Sequence, residues 1–421
     1  MNKHGARRRT LMKLGLAGGL VGPMHIIPKL AWGQGAPIKV GMSTILSGRV
    51  AQMGVTTRDA LQMQFDQFND AGGLNGRKIE FIYRDSQGKP EEAARIVREL
   101  VESEGCQIII CGEASGTSFA THEVGRQLDA LMIHALSETA SLSADPKLKS
   151  PNIFRTARQS VHDSIVGGRF AAQMAKDQGF TRWATISADY AYGREVTPEF
   201  LSYVSDGGAD VNLVAEAWPK LFQPDYTDSI TKILQAKPEA IFCGLWGGDL
   251  VSFVDQANLF GLFDKVKMFS IHMADYTTLT SIKQLPSSGV YSANRYVSVL
   301  PDTAENRAWS DAYFERFKSR PTNWAWEADT AARFLLQAIR DTNSTDPKVL
   351  ASAIRGMEVA SPVGAKDGKI LMTDSDQTIN YYALGWGSIV PTPPYMTDIY
   401  QADWQDILAH EAAWKKKKGY L

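Results

Sequence analysis

The chain has 421 residues, 44% of them hydrophobic, and a formal net charge of −1, with Lys+Arg 45 against Asp+Glu 46. This balance excludes electrostatic attraction to nucleic acid or to anionic lipid as the basis of its function. A typical domain has about 100 to 200 residues, so a chain of this length is expected to form two lobes.

Residues 1–35 are predicted to be an export signal. A basic start is followed by the short apolar stretch 14–24, which is the order of a secretory signal and is too short to cross a membrane, where about 20 residues are needed. The run Arg8–Lys13 reads R-R-T-L-M-K and resembles a twin-arginine signal for the export of folded proteins. A general signal with chance arginines is the alternative. Cleavage is expected within 31–36.

The chain after the signal alternates between apolar runs and stretches with helical periodicity. Strands are predicted from Ile38 and at 79–84 and 107–111, and helices at 57–70 and 91–103. This alternation predicts a parallel sheet that is covered by helices on both faces.

A second unit of the same kind follows Phe154. Its predicted helices and strands are helix 164–178, strand 183–187, a helix from Arg194, helix 230–235, strand 240–244 and a helix from near Asp249. The portion 304–342 is predicted to be mostly helical, with Trp309, Tyr313, Phe314 and Phe317 at helical spacing in the core, and late strands are predicted within 364–373 and 381–400.

Ligands of open α/β sheets bind at the loops that follow the carboxyl ends of the strands. In this sequence the rule selects four loops: 43–52, 112–117, 134–139 and 188–193.

The sequence lacks the common motifs of nucleotide-binding, hydrolytic and metal enzymes. It has no phosphate-binding loop, G112-E-A-S-G lacks the spacing of a nucleophile elbow, and His410-Glu411 is not followed by a second histidine at the required position. We therefore expect that the protein is not an enzyme and needs no cofactor or metal. A catalytic triad assembled in space, as in an exported hydrolase, stays an alternative.

The three cysteines Cys106, Cys111 and Cys243 are predicted to be buried free thiols. An odd number cannot form a complete set of disulfides. Cys106 and Cys111 bracket a predicted strand, and its length of about 3.3 Å per residue separates them too far for a bridge.

Several short motifs carry a family resemblance through their order and spacing. They are I38-K-V-G-M-S-T-I-L-S-G, A71-G-G-L-N-G-R-K-I-E-F-I-Y-R-D, K89-P-E-E-A-A-R, D189-Y-A-Y-G and G244-L-W-G-G-D-L. Together they resemble the branched-chain amino-acid-binding and amide-binding branch of the type I periplasmic binding proteins. The resemblance spans nearly the whole mature chain.

The resemblance implies an α/β fold of two Rossmann-like lobes with parallel sheets, joined by three hinge crossovers near Phe154, Ala293 and Ala365. The implied lobe boundaries are 36–154 with 293–365 for lobe 1, and 155–292 with 366–421 for lobe 2. It also implies a periplasmic protein that captures an amino acid, amide or organic acid in the cleft, closes by a hinge motion, and delivers it to the membrane subunits of an ABC permease. A ligand-sensing receptor domain with the same fold is the alternative.

Four candidate ligand contacts follow from the resemblance. Ser115 matches the cleft serine that donates to a ligand carboxylate, and Ser137 and Thr139 match the next loop. Tyr192 matches the tyrosine that covers the ligand from the second lobe. As alternatives, Ser115 and Thr139 can cap the helices that follow them, and Tyr192 can be a packing residue.

The sequence departs from the amino-acid binders at one informative position. Their Gly-Pro-Glu-type segment, whose glutamate reads the ligand ammonium, corresponds here to F269-S-I-H-M-A-D, where His272 or Asp275 is the candidate replacement. Trp246 falls in a second-lobe loop and is a candidate to stack on a planar ligand, with plain packing as the alternative. An aromatic acid is therefore the competing ligand to a branched-chain amino acid.

Overall fold

The computed structural model describes residues 35–286 and 288–421, so the predicted signal lies outside the described residues apart from residue 35. The first part of the chain contains β1 (Ile38–Thr44), α1 (Ala51–Asp70), β2 (Ile79–Asp85), α2 (Pro90–Glu102), β3 (Ile108–Gly112), α3 (Ser115–Gly125), β4 (Leu131–His134), α4 (Ser141–Ala144) and β5 (Ile153–Arg155). The second part contains α5 (Ser160–Gln178), β6 (Arg182–Ile186), α6 (Ala191–Asp206), β7 (Asn212–Ala217), α7 (Thr227–Ala236), β8 (Ala240–Cys243), α8 (Gly247–Leu259), β9 (Lys267–Ser270), α9 (Tyr276–Ser281) and β10 (Val290–Ala293). The last part contains α10 (Ala304–Phe317), α11 (Asn323–Thr342), α12 (Pro347–Ile354), β11 (Glu358–Ala360), β12 (Lys369–Met372), β13 (Ile379–Asn380), β14 (Gly385–Ile389), β15 (Met396–Gln401) and α13 (Trp404–Lys418).

The first sheet has the strand order β2-β1-β3-β4-β5, and all of its pairs are parallel. Every residue of the central strand β3 is buried, because helices cover both faces of a parallel sheet. The order of the strands reverses at β1, where parallel sheets commonly bind ligands. This sheet confirms the predicted α/β fold for the first part of the chain.

The second sheet has the order β15-β14-β10-β9-β8-β6-β7. The strands from β7 to β10 pair in parallel, whereas β14 is antiparallel to β10 and β15 is antiparallel to β14. The two large sheets and their helices form two α/β lobes, as predicted. The exact lobe boundaries stay predictions.

The chain returns to the first lobe after β10. Helix α11 packs against α1, where Gln64 Nε2 donates a hydrogen bond of 2.6 Å to Asp329 Oδ1. The short sheet β11-β12-β13 follows, and α13 packs against α5 of the second lobe. The late part of the chain therefore contributes to both lobes.

Several helices begin earlier than the sequence predicts. Helix α1 begins at Ala51 rather than 57, α5 at Ser160 rather than 164, and α6 at Ala191 rather than 194. None of the three has a side-chain cap, because the N-cap residues are Val50, Gln159 and Tyr190 rather than Ser, Thr, Asp or Asn. The loops at the strand ends are shorter than expected, and residues predicted in loops lie in first helical turns.

All three cysteines are buried and free, as predicted. Burial raises the pKa of the Cys106 thiol to about 11 and the pKa values of Cys111 and Cys243 to about 12. The thiols are therefore protonated at neutral pH.

Candidate functional site

A cavity with about 260 Å³ of empty space, part of it open to solvent, lies where the carboxyl ends of the two sheets meet. The residues that line it follow strands β3, β4, β6, β8 and β9 or belong to the first turns of α1 and α11. They are Met53, Ala114, Ser115, Leu136, Glu138, Tyr190, Tyr192, Trp246, His272 and Trp324. Both lobes contribute to the lining, which is the position expected for a ligand between two α/β lobes.

Four of the six predicted contacts line this one cavity: Ser115, Tyr192, Trp246 and His272. The other two, Ser137 and Thr139, flank Glu138 but are not part of the lining. Among the described residues, the buried Ser137 Oγ has no hydrogen-bond partner. Thr139 Oγ1 donates a 2.7 Å hydrogen bond to Glu195 Oε2.

The capping alternative is wrong for Ser115 and for Thr139. Ser115 is the first residue of α3, the N-cap is Ala114 in an extended conformation, and no side chain caps the helix. The N-cap of α4 is Ala140, which also lacks a side-chain cap. The N–H groups of the first turn of α3 therefore lie beside the cavity without a side-chain acceptor, and a helix N-terminus in this state favours an anion.

Four aromatic side chains form much of the cavity wall. Trp246 Nε1 donates a 2.7 Å hydrogen bond to the Tyr190 hydroxyl, which fixes both rings. The rings of Trp246 and Trp324 meet edge to face with centroids 6.3 Å apart, and those of Tyr190 and Tyr192 are 6.1 Å apart. Such walls provide apolar contact area and stacking geometry for a planar ligand.

A polar group of three side chains forms another part of the wall. The Tyr192 hydroxyl lies 2.9 Å from His272 Nε2, and His272 Nε2 lies 3.6 Å from Glu138 Oε2. Burial lowers the pKa of His272 well below its ordinary value, and the nearby Arg295 and Arg158 lower it further. The imidazole is therefore neutral at physiological pH.

Glu138 belongs to a buried ionic network that extends to two crossovers between the lobes. Arg295, which follows β10, pairs with both carboxylate oxygens of Glu138, and its Nη1 lies 3.2 Å from Oε2. Arg295 Nη1 also lies 3.5 Å from Asp163 Oδ2, and Asp163 pairs with Arg158, which follows β5. Although burial opposes the charge, Glu138 and Asp163 raise the pKa of Arg295. Two guanidinium groups thus face two carboxylates.

A third carboxyl group, that of Glu327, belongs to the same network. Its Oε1 accepts a 2.7 Å hydrogen bond from the Arg158 backbone N–H. Burial and the neighbouring Glu138 raise the pKa of Glu327 well above its ordinary value. Three carboxyl groups and two guanidinium groups therefore share this buried network.

Comparison with known proteins decides the family. The model of the family described as "Periplasmic binding protein" matches residues 37–383. The chain belongs to this family. It has the two-lobed type I fold, and like the transporter binding proteins to which it is related, it is a binding protein and not an enzyme.

One similar relative is Leu/Ile/Val-binding protein homolog 4 of Brucella melitensis, which is 27% identical and aligns over 78% of this chain and 79% of its own. A solute-binding protein of an ABC transporter from Rhodopseudomonas palustris, in complex with 3,4-dihydroxybenzoic acid, superposes with a TM-score of 0.78 at 24% identity, covering 88% of this chain and 98% of its own. A third similar protein is LivJ of Streptococcus pneumoniae, a branched-chain amino acid transporter substrate-binding protein in complex with isoleucine. It superposes with a TM-score of 0.74 at 16% identity, covering 87% of this chain and 99% of its own.

Asp275 does not take the place of the glutamate of the amino-acid binders in the cavity. It is the N-cap of α9, where its Oδ1 accepts hydrogen bonds from the N–H groups of Thr277 and Thr278. Of the two candidate replacements, only His272 lines the cavity of this binding protein, and it carries no negative charge.

Two sets of hydrogen bonds join the lobes of this binding protein around the cavity. Glu195 of α6 accepts hydrogen bonds from Thr139 Oγ1 and from the Ala140 N–H in the first lobe. Arg49, in the loop after β1, donates to Ser252 Oγ at 2.7 Å and to the Gly248 carbonyl at 3.2 Å in α8. The described arrangement is therefore a closed one.

Sequence reasoning missed several residues of the cavity wall. Glu138 lies between two residues that were selected, and Tyr190 lies in the selected motif D189-Y-A-Y-G, so both were within reach of the loop rule. Trp324 lies in the predicted helical portion 304–342 and was not selected. Met53 lies in the first turn of α1, just after the selected loop 43–52 and before the predicted helix start at 57.

Proposed function

We propose that this protein is the extracytoplasmic substrate-binding component of an ABC importer and that its ligand is a small aromatic carboxylic acid. The predicted export signal supports a periplasmic location, and the partner would be the membrane subunits of the permease. Among the described residues, no helix is long and apolar enough to cross a membrane.

The α3 end of the cavity supports a carboxylate. Ser115, which is 4% exposed, supplies a hydroxyl, and the uncapped first turn of α3 supplies backbone N–H groups. Hydrogen bonds from such donors to an ionised oxygen are stronger than those between neutral groups, more so after the lobes close and exclude water.

The charge balance of the wall is the observation that carries the proposal. An α-amino acid brings an ammonium group that needs an unpaired carboxylate, but Glu138 is paired with Arg295 and Arg295 also faces Asp163. Burial also raises the pKa of Glu138, so either the ion pair or a proton offsets its charge. A ligand ammonium would therefore remain uncompensated in a buried site, which is costly.

The aromatic walls favour a planar ligand body, and the benzoic-acid complex of the Rhodopseudomonas palustris neighbour supports this reading. A branched-chain amino acid is the second candidate, favoured by the name of the Brucella melitensis relative and by the isoleucine complex of LivJ. An amino acid would have to displace Arg295 from Glu138 to gain an ammonium partner.

A thermal-shift screen tests the proposal. The purified protein is first unfolded and refolded to remove bound ligand. The panel contains benzoate, 3- and 4-hydroxybenzoate, leucine, isoleucine, valine, and an amide such as acetamide. A ligand at about 100 times its Kd adds roughly 2.7 kcal/mol of stability. We expect aromatic acids to raise the melting temperature and the amino acids to leave it unchanged. A shift with leucine but not with any aromatic acid would overturn the aromatic assignment.

A further inference from the structure

The cavity has two distinct polar regions. The first is the α3 N-terminus with Ser115, and the second is the group Tyr192, His272 and Glu138. Tyr190 links them: a Cβ placed on Gly116 of α3 would lie 3.8 Å from the Tyr190 ring, and that ring is 6.1 Å from the Tyr192 ring. A ligand that fills the cavity along Tyr190 therefore meets polar groups at both ends.

The second region has unused hydrogen-bonding capacity. The Tyr192 hydroxyl has one contact, to His272 Nε2 at 2.9 Å, although a phenol can donate once and also accept. His272 Nδ1 has no partner among residues 35–286 and 288–421. Both side chains are deeply buried, at 2% and 4% exposure. In either tautomer of His272, the Tyr192 hydroxyl keeps one free donor or acceptor position.

The second region also carries no net charge. Glu138 is held by Arg295, and the imidazole of His272 is neutral because burial lowers its pKa. It is therefore suited to a neutral group that both donates and accepts, and unsuited to a second carboxylate or an ammonium.

We propose that Tyr192, with His272 behind it, recognises a hydroxyl group on the ring of the bound aromatic acid, so that the preferred ligands are hydroxylated benzoates. This inference rests on the proposed function, because it requires the carboxylate at α3. Glu138 acts as a positioning residue, since Arg295 holds it beside His272 Nε2.

Selectivity follows from the cost of leaving a buried polar group without a partner. Benzoate leaves the free position of Tyr192 unsatisfied in the closed cavity, whereas a correctly placed ring hydroxyl fills it. A missing partner of this kind lowers the affinity by about tenfold or more. We expect the better of 3- and 4-hydroxybenzoate to bind about tenfold or more tightly than benzoate.

Isothermal titration of the refolded protein with benzoate, 3-hydroxybenzoate and 4-hydroxybenzoate tests the inference. In Tyr192→Phe, the affinity for the preferred hydroxybenzoate should fall further than that for benzoate, so that their ratio moves towards one. The matched variant Tyr190→Phe removes a hydroxyl that is already bonded to Trp246, and it should weaken both ligands while preserving the ratio.

The outcomes separate the inference from the proposed function. Equal affinity of the wild-type protein for benzoate and both hydroxybenzoates overturns hydroxyl recognition and leaves the aromatic assignment intact. A ratio that collapses in Tyr190→Phe but not in Tyr192→Phe overturns the assignment to Tyr192. Failure of all three acids to bind overturns the proposed function and this inference with it.

Discussion

Three helices that follow strands of the sheets at the cavity begin differently from α11, which also reaches the cavity and is capped by Thr322, and from other helices late in the chain. Helices α3, α6 and α8 have Ala114, Tyr190 and Trp246 at the N-cap, and none of these side chains caps the helix. By contrast, α10 and α13 are capped by Thr303 and Asp403, whose side chains accept a backbone N–H. Side-chain caps stabilise helices by about 1 kcal/mol. At α3 the uncapped N–H groups lie where a ligand can reach them. In α10 and α13 the corresponding N–H groups donate to the capping side chain, which stabilises the helix.

The largest expected effect comes from giving α3 the cap that it lacks. Ala114→Asp places a carboxylate on a residue whose backbone already has N-cap geometry. It should occupy the first-turn N–H groups and repel the ligand carboxylate. Losing about two charge-assisted hydrogen bonds predicts a fall in affinity for 4-hydroxybenzoate of about 100-fold or more, measured by calorimetry.

Ala114→Asn is the matched control, because it caps the helix without a charge and should lower the affinity less. Neither substitution is expected to reduce the melting temperature of the unliganded protein, since a capping side chain is favourable at this position. Undiminished affinity in Ala114→Asp would show that α3 does not hold the ligand carboxylate.

A smaller effect is expected where α8 approaches the first lobe. A Cβ on Gly248 would lie 2.6 Å from the Arg49 carbonyl oxygen, so Gly248→Ala should hold the lobes apart. We expect affinity to fall about tenfold through a smaller closed population, with a larger radius of gyration in small-angle scattering of the liganded protein. Ser252→Ala, which removes only a hydrogen bond from Arg49, is the control and should scatter like the wild type.

The smallest effect on binding is expected at a capped helix. Asp403 caps α13, because its Oδ1 accepts a 2.9 Å hydrogen bond from the Gln405 N–H. Asp403→Ala removes this cap. The free energy of unfolding should fall by about 1 kcal/mol in a urea titration while the affinity for 4-hydroxybenzoate stays unchanged. A loss of affinity comparable to that of Ala114→Asp would remove the distinction between the two groups of helices.

The same contrast explains which helix boundaries could be predicted. The predicted helical portion 304–342 begins at the same residue as α10, which follows the capping Thr303. The starts of α1, α5 and α6 were placed too late, because their N-cap residues Val50, Gln159 and Tyr190 are not capping residues and the first turns of α1 and α6 contain glycine. The alternation of strands and helices was enough for the fold, since hydrophobic periodicity is a local property.

Only part of the cavity lining could be predicted, because the sequence shows which loops follow strands but not which side chains face the cavity. Residues that follow strand ends could be found with the loop rule, which is how Ser115 and Tyr192 were selected. The rule does not give the direction of a side chain within a loop, and so Ser137 and Thr139 were chosen while Glu138, between them, lines the wall. The pairing of Glu138 with Arg295 joins residues far apart in sequence, and only the tertiary fold brings them together.

The buried, free cysteines have a practical consequence for handling the protein. In the folded state Cys106, Cys111 and Cys243 are shielded and protonated, so oxidants of an export compartment have little thiolate to attack. Unfolding, which is needed to strip a captured ligand, exposes all three at once and allows mispairing between chains. Refolding in a reducing buffer avoids such cross-linked products without breaking any bond among the described residues, since these three thiols are free in the folded chain.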